Sequence, residues 1–299
     1  MSKLSVIIPA WNTLYLQNTI DEVLTKSAGD IEVIAILDGY WPGPPLKDDP
    51  RLIVVHREHR GMRASINAGV AIARGEYIMK TDDHCMFSEG FDETLKVDCD
   101  KDWIVIPRRY SLETDEVPWG VRWHRPFTDY EYLTWPWDKH VVKFGLVGRV
   151  WDSRIEERIN LLLDENLTFQ GSCWFTPREF FLRRIGSLSD EGYGSFVAEA
   201  QELGFKTWLG GGKVMVNKKT WYAHLWKGKG YRDKYKAQYG IGYTRLSGTE
   251  YKCGNRYNVF YWMQNKWEKR IHDFEWLIDR FWPVPTWPTD KSAWMPESS

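Results

Sequence analysis

The chain has 299 residues, with 40 Lys plus Arg against 41 Asp plus Glu, so its overall field makes no case for a nucleic-acid or anionic-membrane partner, although a local basic patch is compatible with that balance. No stretch reaches the ~18 continuous apolar residues of a membrane span, and Met1-Ser2-Lys3 leads straight into a strand, leaving no room for a secretory leader. The four cysteines (Cys85, Cys99, Cys173, Cys253) are scattered without a Cys-x-x-Cys pair, and the expectation is a reduced cytoplasmic protein with free thiols.

Leu4–Pro9 is an almost continuous apolar run, the pattern of a parallel strand buried on both faces. It ends in Pro9-Ala10-Trp11-Asn12. A helical pattern follows, with Leu16, Ile20, Val23 and Leu24 on one face, closing near Gly29. Ile31–Leu37 reads as the second strand and stops at Asp38-Gly39, before a Pro-rich loop from Tyr40 to Pro45. Leu52–His56 is the third strand. Arg63–Arg74 is a helix with Ile66, Val70 and Ala73 inward, ended by Gly75. Tyr77–Thr81 is the fourth strand and delivers Asp82-Asp83-His84.

Strands alternating with helices predict an α/β fold with a mostly parallel sheet and helices on both faces. Ligands bind beyond the carboxyl ends of such strands, so Pro9–Asn12, Asp38-Gly39 and Asp82–His84 describe a nucleotide crevice. Carboxylate oxygens beside an imidazole nitrogen suit a divalent ion of the Mn or Zn type. The chain has no Gly-x-Gly-x-x-Gly after the first strand and no Gly-Lys-Ser/Thr, which leaves dinucleotide, P-loop and phosphotransferase readings unsupported.

Asp102–Pro107 is a further buried strand. The stretch from Pro118 to Trp151 does not read as regular structure. It holds Trp119, Trp123, Phe127, Tyr130, Tyr132, Trp135, Trp137, Phe144 and Trp151 among Arg122, His124, Arg125 and Lys143. The stretch is either an aromatic mini-core under a long loop or a surface for stacking on a sugar or an unstacked base. Asn166–Phe175 alternates like a strand. A helix follows with Phe196, Ala200 and Leu203 inward, ending at Gly204-Phe205. Lys213–Val216 and Lys219–Trp226 read as two strands. Lys227, Lys229 and Arg232, spaced by glycines, predict a mobile cationic loop able to close over a diphosphate or an acceptor's phosphates. Asn258–Phe281 reads as one long helix with Trp267, Ile271, Phe274, Ile278 and Phe281 on its apolar stripe.

The segments "LSVIIPAWN", "EVIAILDGY" and "RGMRASINAGVAIARGEYIMKTDDHC" resemble the N-terminal half of a GT-A fold glycosyltransferase of the family 2 type, whose strands end in Pro-Ala-Tyr-Asn, Asp-Asp-Gly-Ser and Asp-x-Asp. The resemblance covers roughly residues 3–110 and 166–226. It implies that Pro9, Ala10, Trp11, Asn12, Asp38, Asp82 and Asp83 meet a nucleoside-diphosphate sugar. Arg63 lies where the family carries a basic or small residue near the phosphates. The small pair Gly171-Ser172 would let backbone approach the donor sugar. Two positions depart from the family: Leu37 replaces the first acid of the second strand, and His84 replaces the last Asp of the metal motif. "DDHC" is similar to the Asp-x-His variant of polypeptide N-acetylgalactosaminyltransferases. "YAHLW" matches the place where those relatives carry a third ligand, which implies a metal held by Asp82, His84 and His224.

The resemblance also implies a catalytic acid at the start of the helix that ends near Gly204. Asp190 and Glu191 are the nearest acids, with Glu199 the alternative. An inverting enzyme would use one as a base with a raised pKa; a retaining one needs none. Taken together these readings predict a catalytic domain over residues 1–226, with residues 118–165 inserted on the acceptor side and 227–299 packed on it as an extension. The expected cofactor is Mn2+, with Mg2+ the alternative, and the expected donor is a UDP-sugar. The chain also looks like glycosyltransferases of tailed phages. That suggests 5-hydroxymethylpyrimidine in DNA as acceptor, with Trp135 and Trp137 holding a base and Lys227, Lys229 and Arg232 meeting phosphates in a host cytoplasm. The competing readings are a saccharide or protein acceptor, or a non-catalytic relative that binds nucleotide or nucleic acid. A monomer or weak oligomer with no membrane partner is expected.

Overall fold

A computed structural model describes residues 3–11, 13–114, 119–140, 144–240 and 247–295. In chain order the strands and helices are β1 (Leu4–Ala10), α1 (Leu16–Lys26), β2 (Ile31–Asp38), β3 (Leu52–Arg57), α2 (Met62–Ile72), β4 (Tyr77–Thr81), β5 (Cys85–Phe87) and α3 (Phe91–Val97). Then come β6 (Trp103–Glu113), β7 (Gly120–Val121), β8 (Glu131–Leu133), β9 (Gly148–Val150), α4 (Asp152–Glu157), β10 (Leu163–Glu165), β11 (Cys173–Pro177) and α5 (Arg178–Phe180), which runs into a π turn. The last are α6 (Glu199–Leu209), β12 (Lys213–Leu225), α7 (Lys229–Tyr239), α8 (Gly248–Met263) and α9 (Phe274–Arg280).

The main sheet runs β10-β12-β6-β11-β4-β1-β2-β3. Strands β4, β1, β2 and β3 are mutually parallel, as are β6 and β12, whereas β11 is wedged antiparallel between β4 and β6. Alternate residues of one strand face opposite sides. Thus Ile7, Ile34 and Ile36 join one apolar cluster, with α2, α6, α8 and α9. Val6, Ile8, Val33 and Ala35 join the other, with α1 and α3. Burial on both faces is why β1 and β2 read as almost continuous apolar runs. At Gly69 of α2 an added Cβ would sit 2.4 Å from Ile7 Cγ2, so glycine sets how closely that helix lies on the sheet.

Several local expectations change in the folded chain. The two strands expected over 213–226 are one, β12, whose pairing with β6 shifts register between Asn217 and Trp221. That irregularity re-aims the strand, so that its end pairs with β5 and sets His224 opposite Cys85. The ladder expected from Asn166 begins only at Cys173; the Asn166 side chain instead bonds the backbone of Glu131 and Asp129. The long helix expected over 258–281 is two helices. Asn265 turns the chain with φ +54 and accepts from Phe274 N, and Asp273 caps α9 by accepting from Trp276 N. Ile271 consequently lies exposed between them. Gly204 lies inside α6 and does not end it, and Phe196, expected inward, is exposed. Lys229 opens the helix α7 where a mobile loop was expected.

The proline-rich tail packs on the same face as α6. Trp287 donates from Nε1 to Leu133 O, and Trp287 and Trp294 are both buried in that cluster. No helix among the described residues is long and apolar enough to cross a membrane.

Candidate active site

Strand β4 ends where β11 and β12 close around it. Asp82 N donates to Ser172 O at 2.8 Å, which ties the loop before β11 to the end of β4. His224, brought alongside by β12, places its Nε2 3.0 Å from His84 Nε2 and 3.3 Å from Asp82 Oδ2. One ligand atom from each of Asp82, His84 and His224 lies within 4.8 Å of the others. Both imidazoles are buried, and Asp82 is half-buried.

Two imidazole Nε2 atoms and one carboxylate oxygen converging on one point match the donors of Mn2+ or Zn2+. The protonation states suit that use. Burial pushes His224 down to about 4, so its ring is neutral at pH 7. Burial works against the Asp82 charge, but the Lys80 ammonium and His224 outweigh it and hold the carboxyl well below its usual range. Among the described residues His224 Nδ1 is buried without a hydrogen-bond partner.

Asp83 stands behind this cluster. It is buried, its Oδ1 takes the hydrogen bond from His84 Nδ1, and Lys227 Nζ lies 3.3 Å from the same oxygen. Its carboxylate is therefore committed to the protein, and the direct donor contact expected of Asp83 does not fit this placement.

A second group of charges adjoins the first. Lys80 is fully buried and donates to Asp82 Oδ1 at 2.6 Å and to Gly171 O at 2.5 Å, and its Nζ is 3.8 Å from Glu199 Oε2. Trp174 Nε1 donates to the other Glu199 oxygen at 2.7 Å. Burial raises the Glu199 pKa, and Lys80 opposes that shift. A Cβ on Gly171 would come 2.1 Å from Glu199 Oε2, so that position is closed to any side chain. Ser172 Oγ bonds Gln170 Oε1 and Tyr222 Oη at 2.9 and 2.8 Å. Of the three candidate acids, Glu199 is the one brought to this place. Asp190 and Glu191 are exposed on the segment before α6, and no described contact joins them to Asp82 or the histidines. Gly204 is an interior residue of α6, which begins at Glu199, so Asp190 and Glu191 lie well before the helix start. Lys80 was overlooked, although its spacing of two from Asp82 puts both on one face of the strand.

The remaining candidates divide. Pro9 and Ala10 end β1, and Trp11, just past it, stacks on His59 with ring centroids 4.3 Å apart. Asn12 lies outside the described residues. The Asp38 carboxylate is buried and accepts from Arg60 N at 2.9 Å and Gly61 N at 2.7 Å, with His59 Nδ1 at 2.8 Å. It holds the turn into α2 and is not open to a base. Arg63 is fully buried, donating to Ser189 O, Val197 O and Glu202. It clamps the segment that leads into α6 and has no exposed surface to offer a phosphate.

Trp135 and Trp137 belong to the aromatic mini-core. Trp135 donates to Trp294 O, and both pack against the cluster under the tail. The exposed tryptophans near the site are Trp226, packed edge-on against His224 at 5.1 Å, and Trp123, packed on Trp221. Lys227 pairs with Asp83, Lys229 pairs with Asp233 at 2.6 Å, and Arg232 donates to Lys227 O.

Comparison with known proteins agrees with this architecture. The chain is 26% identical over 204 residues to the uncharacterized glycosyltransferase EpsJ of Bacillus subtilis (strain 168), a match covering 63% of this chain and 59% of EpsJ. It is 34% identical over 104 residues to the glycosyltransferase GlyG of Streptococcus pneumoniae serotype 4, covering 32% of this chain and 35% of GlyG. It thus spans well under two thirds of the length of either relative. The fold is similar to that of GalNAc-T7, solved with UDP, GalNAc and Mn2+, with a TM-score of 0.65 at 16% identity over 89% of this chain and 49% of that one. The family model for glycosyl transferase family 2 matches residues 5–182, and the chain belongs to that family.

Proposed function

We propose that the chain is a metal-dependent glycosyltransferase that moves a sugar from a nucleoside-diphosphate sugar, a UDP-sugar, to an acceptor hydroxyl. The observation that carries this reading is the convergence of Asp82, His84 and His224 within 4.8 Å at the carboxyl end of β4, where open α/β sheets bind ligands. Those three residues would hold Mn2+, the ion to which mixed imidazole and carboxylate donors are suited, with Mg2+ the weaker match. A divalent ion there supplies charge neutralisation to the diphosphate leaving group. Lys80 keeps Asp82 anionic. Glu199, beside Gly171 and Ser172, is the carboxylate at the sugar. It serves as the base toward the acceptor hydroxyl in an inverting reaction, or orients the sugar in a retaining one.

The acceptor we put first is 5-hydroxymethylpyrimidine in DNA. Helix α7 supports it with Lys229, Arg232, Lys234 and Lys236 against the single acid Asp233, next to the exposed rings of Trp226 and Trp123 that suit base stacking. The balanced charge of the whole chain, −1, favours the second reading, a saccharide or protein acceptor stacked on the same rings.

A donor screen by mass spectrometry with Mn2+ tests this. Hydroxymethylated duplex, a neutral glycan and an unfolded protein serve as acceptors, and Asp82→Ala and His84→Ala as controls. Transfer to one acceptor, lost in both variants, is expected. Activity retained in both variants would remove the metal assignment. Nucleotide binding with no turnover of any donor would favour a non-catalytic binding role.

A further inference from the structure

A cavity of about 380 Å³ opens beside the candidate metal ligands. Ser111, Thr114, Arg122, Arg125, Trp226 and Tyr231 are among the residues that line it, and the described lining includes two guanidinium groups and no carboxylate. Arg122 is backed by Glu113, 2.5 Å away and buried. The Arg125 side chain makes no hydrogen bond or ion pair among the described residues, while its backbone N–H holds the turn by donating to Arg122 O at 3.0 Å. Trp226 forms the wall shared with the metal cluster: its ring lies 5.1 Å from the His224 ring, and its outer face is open. His224 and Trp226 are two residues apart where β12 ends, and their edge-on contact makes Trp226 the wall between the cavity and the candidate metal ligands.

We propose that this cavity is the anion subsite for the acceptor, and that the acceptor carries a phosphate within one or two residue lengths of the hydroxyl that receives the sugar. The geometry suits that ligand. A guanidinium fork reads phosphate oxygens in pairs, the hydroxyls of Ser111 and Thr114 add donors, and the open face of Trp226 takes the flat ring between the phosphate and the reacting hydroxyl. The basic helix α7, which begins beside Gly228 and Gly230 of the cavity wall, adds attraction at longer range. This proposal deepens the proposed function. It rests on the glycosyltransferase reading and is independent of DNA as the acceptor.

The test is fluorescence anisotropy with three labelled probes: a hydroxymethylated oligonucleotide, a poly(glycerol phosphate) oligomer and neutral dextran. The parent chain, Arg125→Met and the double variant Arg122→Met/Arg125→Met are compared, with UDP plus Mn2+ titrated in parallel and thermal unfolding recorded. The expected result is that a polyanion binds the parent at least tenfold more tightly than dextran. Each arginine lost should weaken it roughly tenfold and lower the salt slope by about one, with UDP affinity unmoved. Binding of the glycerol phosphate polymer alone supports the subsite and makes a phosphate-bearing polysaccharide the acceptor in place of DNA. The proposal is overturned if neither polyanion binds, if dextran binds as tightly, or if folded Arg125→Met binds the polyanion like the parent. A parent chain that does not bind UDP with Mn2+ overturns the glycosyltransferase reading and, with it, this role for the cavity.

Discussion

Asp83 accepts a hydrogen bond from Nδ1 of His84, and the Nε2 of that same ring faces His224 Nε2 at 3.0 Å. One carboxylate thus fixes the tautomer of its neighbour and aims its free lone pair at the place where the ion would sit. Such partners of metal ligands change affinity by about 10–100-fold when removed. Asp83→Ala should weaken Mn2+ binding by that factor. Asp83→Asn, whose amide oxygen still accepts from Nδ1, should lose less. Titration of Mn2+ by electron paramagnetic resonance reads both, and equal affinity in Asp83→Ala and the parent chain would contradict the arrangement.

Lys80 separates half-buried Asp82 from buried Glu199, at 2.6 Å from the first and 3.8 Å from the second. Removing it leaves both without their cation. Lys80→Met should therefore cost about 3–5 kcal/mol of stability, measured by urea unfolding of the metal-free chain. Restoring part of that loss by adding Glu199→Gln would identify charge repulsion as the cause. A loss below about 1 kcal/mol in the single variant would contradict the pairing.

Glu199 carries a pH signature. Burial raises its folded pKa above the ordinary 4.5, with Lys80 opposing. Between the unfolded and folded values the native state binds the extra proton, so its contribution to stability is full below 4.5 and is lost as pH rises through the folded pKa. Glu199→Gln should flatten the unfolding midpoint over that window. If the variant and the parent share one pH profile, the buried carboxyl is not titrating as described.

Gly171 has room for no side chain, since a Cβ there would lie 2.1 Å from Glu199 Oε2. Gly171→Ala should displace Glu199, costing about 1–3 kcal/mol by overpacking and lowering kcat more than it raises the KM for donor. Unchanged kcat in a folded variant would place the sugar away from this carboxylate.

The nucleotide half of the fold was legible because its signal is local. β1, β2 and β4 are largely apolar runs that end in turn or acidic residues, and a run of that length and composition has few other places to go. The candidate ligands Asp82 and His84 lie just past the end of one such run. The rest depended on long-range packing. Arg63 sits at a helix start like any solvated arginine, yet it is buried by a segment more than a hundred residues later. Trp135 and Trp226 look alike in sequence, and only the tail over the first and the open cavity beside the second separate core from contact surface. Asn265 and Asp273 did mark the break between α8 and α9, as a left-handed turn and a cap, but the apolar stripe hid them.

The proposed three-ligand metal site is tested most directly by calorimetric titration of Mn2+ into the chain with UDP present, comparing the parent with His224→Ala. A single ion should bind the parent, and loss of one of three ligands should weaken it by at least about 100-fold with the fold intact. Equal Mn2+ affinity in His224→Ala would contradict the site.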